Sequence, residues 1–236
     1  MPAPKKSKLL SFDLEQIQES NGIIGVDEAG RGALAGPVMV GAVWIRKDFY
    51  ASKELKEVAE KVNDSKQLTE KQRESIYKVL LTWKEEGLIQ MMTQEGSVTE
   101  IERRNILGAT QLAVGLILES WLKPIQIEER PLVLIDGKPM RNIDWDHRAV
   151  VRGDGRSLTI AMASIAAKVS RDQLMNKLAL DYPYYDFPKH KGYATERHRR
   201  EILENGVSDI HRRLFVRSIL DKVAEKHQQE SFLFDN

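Results

Sequence analysis

Four acidic side chains carry the chemistry that this sequence suggests. Asp27 ends an apolar run predicted to be a buried strand, and Glu28 follows it directly. Asp136 ends a second apolar run in PLVLIDGK, and Asp154 follows a third in VVRGDGRS. Ligands and catalytic groups of open α/β sheets gather at strand ends, so we expect these carboxylates to lie together.

Carboxylates that converge at one place repel each other at neutral pH unless a cation neutralises them. The chain has no cysteine, which excludes disulfides, thiolate nucleophiles and cysteine-based zinc sites, and hard oxygen ligands favour Mg²⁺ or Mn²⁺. Such a site suits phosphoryl transfer, in which two metal ions activate water and stabilise the leaving oxygen. Any one of these aspartates alone is typical of a turn or a helix cap, and only their shared placement favours a metal site.

The adjacent pair Asp27 and Glu28 poses a geometric question. Neighbouring side chains of a regular strand point to opposite faces, so both carboxylates cannot reach one metal ion from such a strand. Either the strand ends or bulges at this pair, or Glu28 contributes through its backbone carbonyl.

The elements that must position these residues are predicted from hydrophobic periodicity and capping signals. Strands are predicted at Gly22–Asp27, Val38–Ile45, Leu88–Thr93, Leu132–Ile135 and His147–Arg152. Helices are predicted from the capping box of Thr69 and Gln72 to Gly87, from that of Ser97 and Glu100 to about Leu122, and over Leu158–Leu180. The first two strands should pair as a hairpin across the glycine-rich loop Glu28–Gly36. The order β-β-α-β-α-β-β-α predicts an α/β fold with a mixed sheet covered by helices.

Composition is ordinary for a globular protein, with 236 residues, 42% hydrophobic and 30% charged residues and a net charge of +1. The N-terminal MPAPKKSKLLSF lacks the apolar core of a secretory signal, and no apolar run appears long enough to span a bilayer. We therefore expect a cytoplasmic monomer that has no contact with a membrane. The small net charge does not exclude nucleic-acid binding, because local patches matter more than the sum.

Seven segments, taken in order, resemble type 2 ribonucleases H (ribonuclease HII). They are GVDEAGRGALAGPV at Gly25–Val38, NDSKQLTEKQRE at Asn63–Glu74, NILGATQLA at Asn105–Ala113, LIDG and RGD around Asp136 and Asp154, ASIAAKVSRD at Ala163–Asp172, HKGYAT at His190–Thr195 and HRRLF at His211–Phe215. The resemblance spans about residues 21 to 217. It implies a ribonuclease H-like mixed five-stranded sheet flanked by helices, with a small helical C-terminal part.

The resemblance also implies the activity and the site. A metal-dependent endoribonuclease would cut the RNA strand of RNA–DNA hybrids and nick duplex DNA 5′ of single ribonucleotides, leaving a 3′-OH and a 5′-phosphate. By motif match, Asp27, Glu28, Asp136 and Asp154 would be its metal-binding and catalytic carboxylates, with Mg²⁺ or Mn²⁺ as cofactor. The domain division that follows is a poorly ordered lead-in at 1–20, a catalytic domain at 21–180, a substrate-binding helical part at 181–227 and a flexible tail at 228–236.

Substrate contacts are expected at two places. The turn formed by Gly30, Arg31 and Gly32 would hold backbone phosphates, because glycine lets N–H groups approach a phosphate and arginine adds a bidentate donor. Tyr193 would pack against a sugar and help sense the 2′-OH, within the basic stretch KHKGYATERHRR that also supplies Lys191 and Gly192. Lys66 either supports the site or contacts phosphate, or is simply a turn lysine.

Several further expectations concern positions outside these motifs or departures within them. Ala33 stands where the family usually has proline, and Ala194 where it has glycine, so Ala194 would be strained if its φ were positive. Lys168 and Asp172 share a helix face and are predicted to form a structural ion pair. The histidines have no spacing that requires a metal.

Three rival functions agree less well with the sequence. Type 3 ribonuclease H usually has lysine in the glycine turn, whereas this chain has Arg31. A nucleotide-binding switch is disfavoured because neither phosphate-binding glycine motif occurs. A noncatalytic hybrid-binding protein would be expected to lack the carboxylates. At the C-terminus, Gln229–Phe234 (QESFLF) loosely resembles a sliding-clamp-binding peptide, although a frayed or folded-back tail is the more common explanation of such a segment.

Overall fold

The computed structural model describes residues 7–18, 20–62, 68–217 and 219–221. The expectations for Lys66 and for Gln229–Phe234 lie outside the described residues. Both therefore remain predictions.

A mixed five-stranded sheet forms the centre of the fold, as predicted. Its strands are β1 Gly22–Ala29, β2 Val38–Arg46, β3 Ile89–Gly96, β4 Leu132–Asp136 and β5 Arg148–Val150, arranged in the order β3-β2-β1-β4-β5. The pairs β1–β2 and β2–β3 are antiparallel, which confirms the predicted hairpin, and β1–β4 and β4–β5 are parallel. The carboxyl ends of β1, β4 and β5 therefore meet at one edge.

Helices cover both faces of the sheet. They are α1 Lys8–Gln16, α2 Lys53–Val62, α3 Glu70–Glu85, α4 Val98–Leu122, α5 Leu158–Asp181, α6 Phe187–His190 and α7 Glu196–Asn205. The capping box at Thr69 and Gln72 is present, and Ser97 accepts the main-chain N–H of Glu100. One hydrophobic cluster joins α1, α2, α3 and α5 to one face, and another packs α4 on the opposite face.

Helix α5 approaches the sheet closely because its residues are small where it crosses β1 and β2. A Cβ added at Gly25 of β1 would stand 2.3 Å from the Thr159 carbonyl carbon, and one at Gly41 of β2 would stand 2.3 Å from the Ala163 oxygen. These glycines are therefore required by packing, and they fix α5 over the strand that carries Asp27.

Helix α4 is long and apolar enough, by length and composition alone, to cross a membrane, contrary to the expectation from the sequence. Half of the apolar window is buried inside the protein, as in the core helix of a globular domain. The helix is kinked at Asn105, whose φ of 62° and ψ of 173° leave the helical region. The Asn105 side chain accepts the N–H groups of Leu107 and Gly108, and so caps the second segment.

Two predictions about element boundaries were wrong. The segment 1–20 was expected to be poorly ordered, but Lys8–Gln16 is a helix whose Leu9 and Leu10 are buried in the core. The last strand was expected to reach Arg152, but β5 ends at Val150 because Arg152 is left-handed with a φ of 55°.

The C-terminal part packs on the end of α5 through a separate apolar cluster. Its buried members are Leu34, Ala35, Met175, Tyr185, Phe187, Ile202 and Val216. Because Leu34 and Ala35 belong to the loop after β1, this cluster joins the C-terminal part directly to the glycine-rich turn.

Candidate active site

Asp27 and Glu28 lie in an unbroken part of β1. The register with β2 pairs Asp27 with Gly41 and Glu28 with Val40, so the strand neither ends nor bulges at the acidic pair. The two side chains point to opposite faces, as a regular strand requires. Oδ2 of Asp27 lies 3.9 Å from Nζ of Lys168 on α5, whereas Oε1 of Glu28 lies 3.1 Å from Nη1 of Arg31. Because a regular strand separates the two carboxylates, the backbone carbonyl of Glu28 is the expected route to a metal ion shared with Asp27.

Asp27 is held in an unfavourable electrostatic environment. Its residue is 6% exposed, and burial raises the pKa of its carboxyl to about 7. Lys168 and Ser164 oppose this shift, while the negative charges of Glu28 and Asp136 add to it. Burial also raises the pKa of Glu28, and Arg31 opposes that shift. A cation placed here would relieve the repulsion between these carboxylates.

Asp136 and Asp154 are linked to each other through the main chain. Val26 pairs with Ile135 in the parallel register, which places Asp136 beside Asp27 on the neighbouring strand. The N–H of Gly153 donates to Oδ1 of Asp136, and Gly153 opens the short 3-10 turn that contains Asp154. Asp154 thus lies in a turn four residues after β5 and not directly at a strand end.

A divalent cation fits the chemistry of these donors, although they do not form a closed cage. Among the described residues, no three acidic or histidine side chains are grouped tightly enough to hold a metal ion by themselves. Mg²⁺ commonly takes one or two carboxylates and completes its shell with waters and substrate phosphates. The buried carboxylate of Asp27 beside Asp136 supplies the oxygen ligands for that arrangement.

The glycine turn and Tyr193, which are more than 160 residues apart, are in contact. The N–H of Gly30 donates to the Tyr193 hydroxyl at 3.1 Å, and the carbonyl of Gly192 accepts the N–H of Leu34 at 2.8 Å. Gly30 has a φ of 85°, and a Cβ there would stand 1.9 Å from Nε of Arg171. The turn therefore depends on glycine for both its conformation and its packing. Of the predicted substrate-binding residues, Gly30, Gly192 and Tyr193 therefore come together in the loop that follows Glu28.

The two departures from the family pattern cause no strain. Non-glycine residues with positive φ among the described residues are Asn105, Arg152 and Lys191, so Ala194 is not in the left-handed region. Ala33 is buried and bridges Tyr193. Lys191 differs from expectation in its contacts: its ammonium donates to Asn176 at 2.8 Å and lies 3.6 Å from Glu70.

Lys168 has a different partner from the one predicted. Its ammonium donates to Ser164 and pairs with Asp27, so the expected ion pair with Asp172 was wrong. The helical spacing of Lys168 and Asp172 predicted a local pair, but α5 lies on β1 and turns Lys168 toward the sheet. Asp172 is instead near Lys191, Arg171 and Arg73, whose charges offset the effect of burial on its pKa.

Two buried arginines support the glycine turn and were not predicted. Arg171 is 1% exposed and donates to the carbonyls of Pro37, Lys191 and Ala35. Arg212 is 0% exposed and donates to the carbonyls of Gly36 and Arg31, and burial lowers its pKa to about 9. Both lie in the quoted motifs, but an arginine in a single sequence gives no sign that it is buried.

Three buried histidines connect the C-terminal part to Tyr193. The rings of His190 and His198 stack with centroids 4.1 Å apart, and Nε2 of His198 lies 3.1 Å from Nε2 of His211. Nδ1 of His198 lies 3.0 Å from the Tyr193 carbonyl. Nε2 of His190 lies 2.9 Å from Oε2 of Glu201. This histidine cluster therefore fixes the backbone of Tyr193.

A cleft of about 540 Å³ opens beside the acidic edge. Its lining includes Asp136 and Arg31 together with Lys138, Arg141 and Gln111. Cationic and amide groups beside the carboxylates are suited to a polyanionic ligand.

Comparison with solved structures identifies the class of fold. A ribonuclease HII in complex with PCNA from Archaeoglobus fulgidus superposes with a TM-score of 0.61 and 21% identity, covering 81% of this chain and 93% of that one. A Bst-RNase HIII in complex with Mn²⁺ superposes with a TM-score of 0.59 and 18% identity, covering 86% of this chain and 67% of that one. The architecture is therefore that of a ribonuclease H-type enzyme.

The sequence comparisons narrow the class to one family. The family model described as Ribonuclease HII matches residues 24–218. A ribonuclease HII from Fusobacterium nucleatum is 41% identical over 220 residues, which covers 92% of this chain and 94% of the relative. The chain belongs to the ribonuclease HII family, whose members are metal-dependent ribonuclease H endonucleases.

Proposed function

We propose that this enzyme hydrolyses the RNA strand of RNA–DNA hybrids and nicks duplex DNA on the 5′ side of a single embedded ribonucleotide, leaving a 3′-OH and a 5′-phosphate. The observation that carries the proposal is the 3.1 Å hydrogen bond from Gly30 to the Tyr193 hydroxyl. It places an aromatic ring beside a phosphate-binding type of turn, two residues after the acidic pair. The 2′-OH distinguishes RNA from DNA, and a ring packed against the sugar is suited to sense it.

Each part of the site has a role in this reaction. Asp27, Asp136 and Asp154, with the backbone carbonyl of Glu28, would hold the divalent cations. Two cations bound there would activate the attacking water and stabilise the leaving oxygen. The Arg31 guanidinium, which lies 3.1 Å from Glu28, is more than half exposed, so a substrate phosphate can approach it from the solvent side.

The remaining substrate contacts come from the backbone and from lysines. In the turn from Gly30 to Gly32, the main-chain N–H groups of Arg31 and Gly32 would bind a phosphate next to the ribonucleotide, while the Gly30 N–H is held by Tyr193. Gly192 supports the turn through its carbonyl. Lys191, which lies next to the turn, and Lys66 are proposed to contact the nucleic-acid backbone.

Mg²⁺ and Mn²⁺ are both proposed as cofactors. A structural neighbour with the same fold is a complex with Mn²⁺, and the donor atoms in this chain are hard oxygens. Activity should disappear in a chelator and return on addition of either metal ion.

The decisive experiment is cleavage of a DNA duplex that contains one ribonucleotide, with Mg²⁺ and with Mn²⁺ in parallel. We expect one nick 5′ of the ribonucleotide, and we expect Asp27→Asn to abolish it. A fully active Asp27→Asn enzyme would refute the site. Cleavage of long hybrids alone would indicate the type 3 activity, and metal-independent binding without a nick would indicate a noncatalytic binding protein.

The role of Tyr193 is tested separately. Tyr193→Ala should reduce nicking at a single ribonucleotide more than cleavage of a long hybrid, because a long hybrid offers many sugars and does not require one to be selected. An unchanged ratio of the two activities would show that Tyr193 is not the sensor.

A sliding clamp is the proposed protein partner, through Gln229–Phe234. A ribonuclease HII with the same fold forms a complex with PCNA, which supports a clamp contact in this family. Clamp binding should be compared between the full chain and a version that ends at Lys226. Equal affinity of the two versions would exclude this segment as the contact.

We further propose that the enzyme is a cytoplasmic monomer that does not contact membranes. In the proposed division, 21–180 is the catalytic domain and 181–227 binds substrate, whereas the tail at 228–236 lies outside the described residues. Sedimentation equilibrium of the purified chain near 27.0 kDa would support the monomer.

A further inference from the structure

Helix α1 contacts the chain on both sides of Asp154. Before Asp154, the Arg148 guanidinium donates to Oε1 of Gln16. After it, the Arg156 guanidinium lies over the Phe12 ring at 5.2 Å. Both partners are residues of α1, which precedes the residues 24–218 matched by the family model.

The strongest of these contacts is made by Asp13, which is 0% exposed. Its Oδ2 accepts the N–H of Thr159 at 2.9 Å and the Thr159 hydroxyl at 2.6 Å, and Tyr50 donates to it at 3.2 Å. Thr159 is the second residue of α5, and its N–H is one of those that the helix itself leaves unpaired. Asp13 therefore caps α5 from another helix, and these hydrogen bonds oppose the effect of burial, which raises the pKa of its carboxyl.

The position of Thr159 affects the acidic edge of the sheet. Thr159 lies against Gly25, where an added Cβ would come within 2.3 Å of its carbonyl carbon. Gly25 is two residues before Asp27, and Thr159 is five residues after Asp154. A displaced start of α5 would therefore alter the spacing between the two aspartates.

We propose that α1 is a positioning element of the active site and that Asp13 is the residue that sets the position of Asp154. The inference rests on the proposed function, in which Asp154 is a metal ligand. The turn Gly153–Gly155 is tied to Asp136 on one side by the Gly153 N–H. Helix α1 fixes the segment that leads into the turn at Arg148 and the segment that leaves it at Arg156 and Thr159.

The test is Mn²⁺ binding by the full-length protein, measured by calorimetry without nucleic acid. Asp13→Ala removes the acceptor for Thr159, and we expect about tenfold weaker binding, as for other residues that orient metal ligands. Asp13→Asn keeps a carbonyl oxygen for the Thr159 N–H and should restore most of the affinity. Glu15→Gln makes the same acid-to-amide change as Asp13→Asn at an exposed position of the same helix and should bind like the parent protein.

A double variant separates positioning from general destabilisation. In an Asp154→Asn background, Asp13→Ala should cause no further loss of Mn²⁺ affinity, because its effect acts through Asp154. A further tenfold loss in that background would overturn the proposal. Parent-like affinity of Asp13→Ala would also overturn it, provided that Asp154→Asn weakens binding. If the Asp154→Asn protein binds Mn²⁺ as tightly as the parent protein, the result refutes the proposed metal site and not the role of α1.

Gln16→Ala keeps the test decisive if Asp13→Ala does not fold. It removes the hydrogen bond with Arg148 at a partly exposed position. We expect about threefold weaker Mn²⁺ binding, a smaller effect than for Asp13 because Gln16 holds the turn through a single flexible side chain. Unchanged affinity of a folded Gln16→Ala protein would then count against the role of α1.

Discussion

Two buried histidines should set the acid stability of the C-terminal part, and the double replacement His198→Asn with His211→Asn tests this. The two residues are 0% and 2% exposed, and burial lowers the pKa of each ring to about 4. The N–H of Ser208 donates to Nδ1 of His211, so the proton of that ring must be on Nε2, where it faces Nε2 of His198. His198 then donates from Nδ1 to the Tyr193 carbonyl. A proton added to Nε2 of His198 would face the N–H of His211, and a proton added to Nδ1 of His211 would face the N–H of Ser208.

The magnitude follows from the difference between the folded and unfolded pKa values. The ordinary pKa is 6.5 and the folded value is about 4, so the unfolded chain binds more protons between these limits. Stability is therefore complete above pH 6.5 and is lost as the pH falls toward 4. Between pH 7.5 and pH 5, one such ring lowers the free energy of unfolding by about 2 kcal/mol, because each pKa unit corresponds to about 1.36 kcal/mol. Because a proton on one ring opposes a proton on the next, we expect about 2–4 kcal/mol for the pair.

The assay is urea unfolding of the full chain at pH 7.5 and at pH 5. The parent protein should lose about 2–4 kcal/mol more on acidification than the double asparagine variant. Carboxylates with shifted pKa values contribute equally to both proteins and cancel in this comparison. The matched control is His147→Asn, which changes a histidine outside the cluster. Equal pH dependence in the parent and the double variant would refute the assignment of acid sensitivity to this pair.

Three further outcomes are expected at the active site. Asp27→Asn should abolish cleavage yet raise the free energy of unfolding by about 1–2 kcal/mol at pH 8. The gain should be smaller at pH 5, because the buried carboxyl of the parent protein is charged, and therefore destabilising, only at the higher pH. Thermal melting at both pH values checks this. Gly30→Ala should lower stability by about 1–3 kcal/mol and impair cleavage, since φ is 85° and Arg171 occupies the Cβ position. Gly32→Ala, whose Cβ would meet no other atom, is the control for the loss of stability alone. Tyr193→Phe should raise KM for a single-ribonucleotide duplex a few-fold, because the Gly30 N–H loses a partner worth about 1 kcal/mol.

Much of the sheet could be predicted from the sequence because local signals and tertiary packing agree there. The apolar runs of β1 and β4 end at acidic residues, and the caps at Thr69 and Ser97 mark the starts of α3 and α4. Helix α2 was not predicted although Leu55, Val58, Ala59 and Val62 have helical spacing and are buried. The signal for that helix is therefore present in the sequence. The sequence signal for helix α1 is weaker, because a short helix is stabilised mainly by its packing.

The support behind the site could not be predicted, because it depends on contacts between distant residues. Lys168 satisfied a local helical pairing rule, yet its carboxylate partner is Asp27 on a strand that is far away in sequence. His190, His198 and His211 have no regular spacing, and they form a stack only because α6, α7 and the following turn converge. Burial of Arg171 likewise results from the loop that closes over it.

The buried charges give a physical reason to expect that the acidic pair and the glycine turn act together. Asp27 is a carboxylate whose pKa is raised, and Arg212 is a guanidinium whose pKa is lowered, so both are destabilised in their charged forms. The hydrogen bonds of Arg212 go to the carbonyls of Arg31 and Gly36, and no carboxylate among the described residues forms an ion pair with it. A cation at Asp27 and a phosphate at the turn would each relieve one of these charges. A substrate phosphate with its metal ions supplies both, and this complementarity is the physical reason to expect that metal binding and nucleic-acid binding strengthen each other.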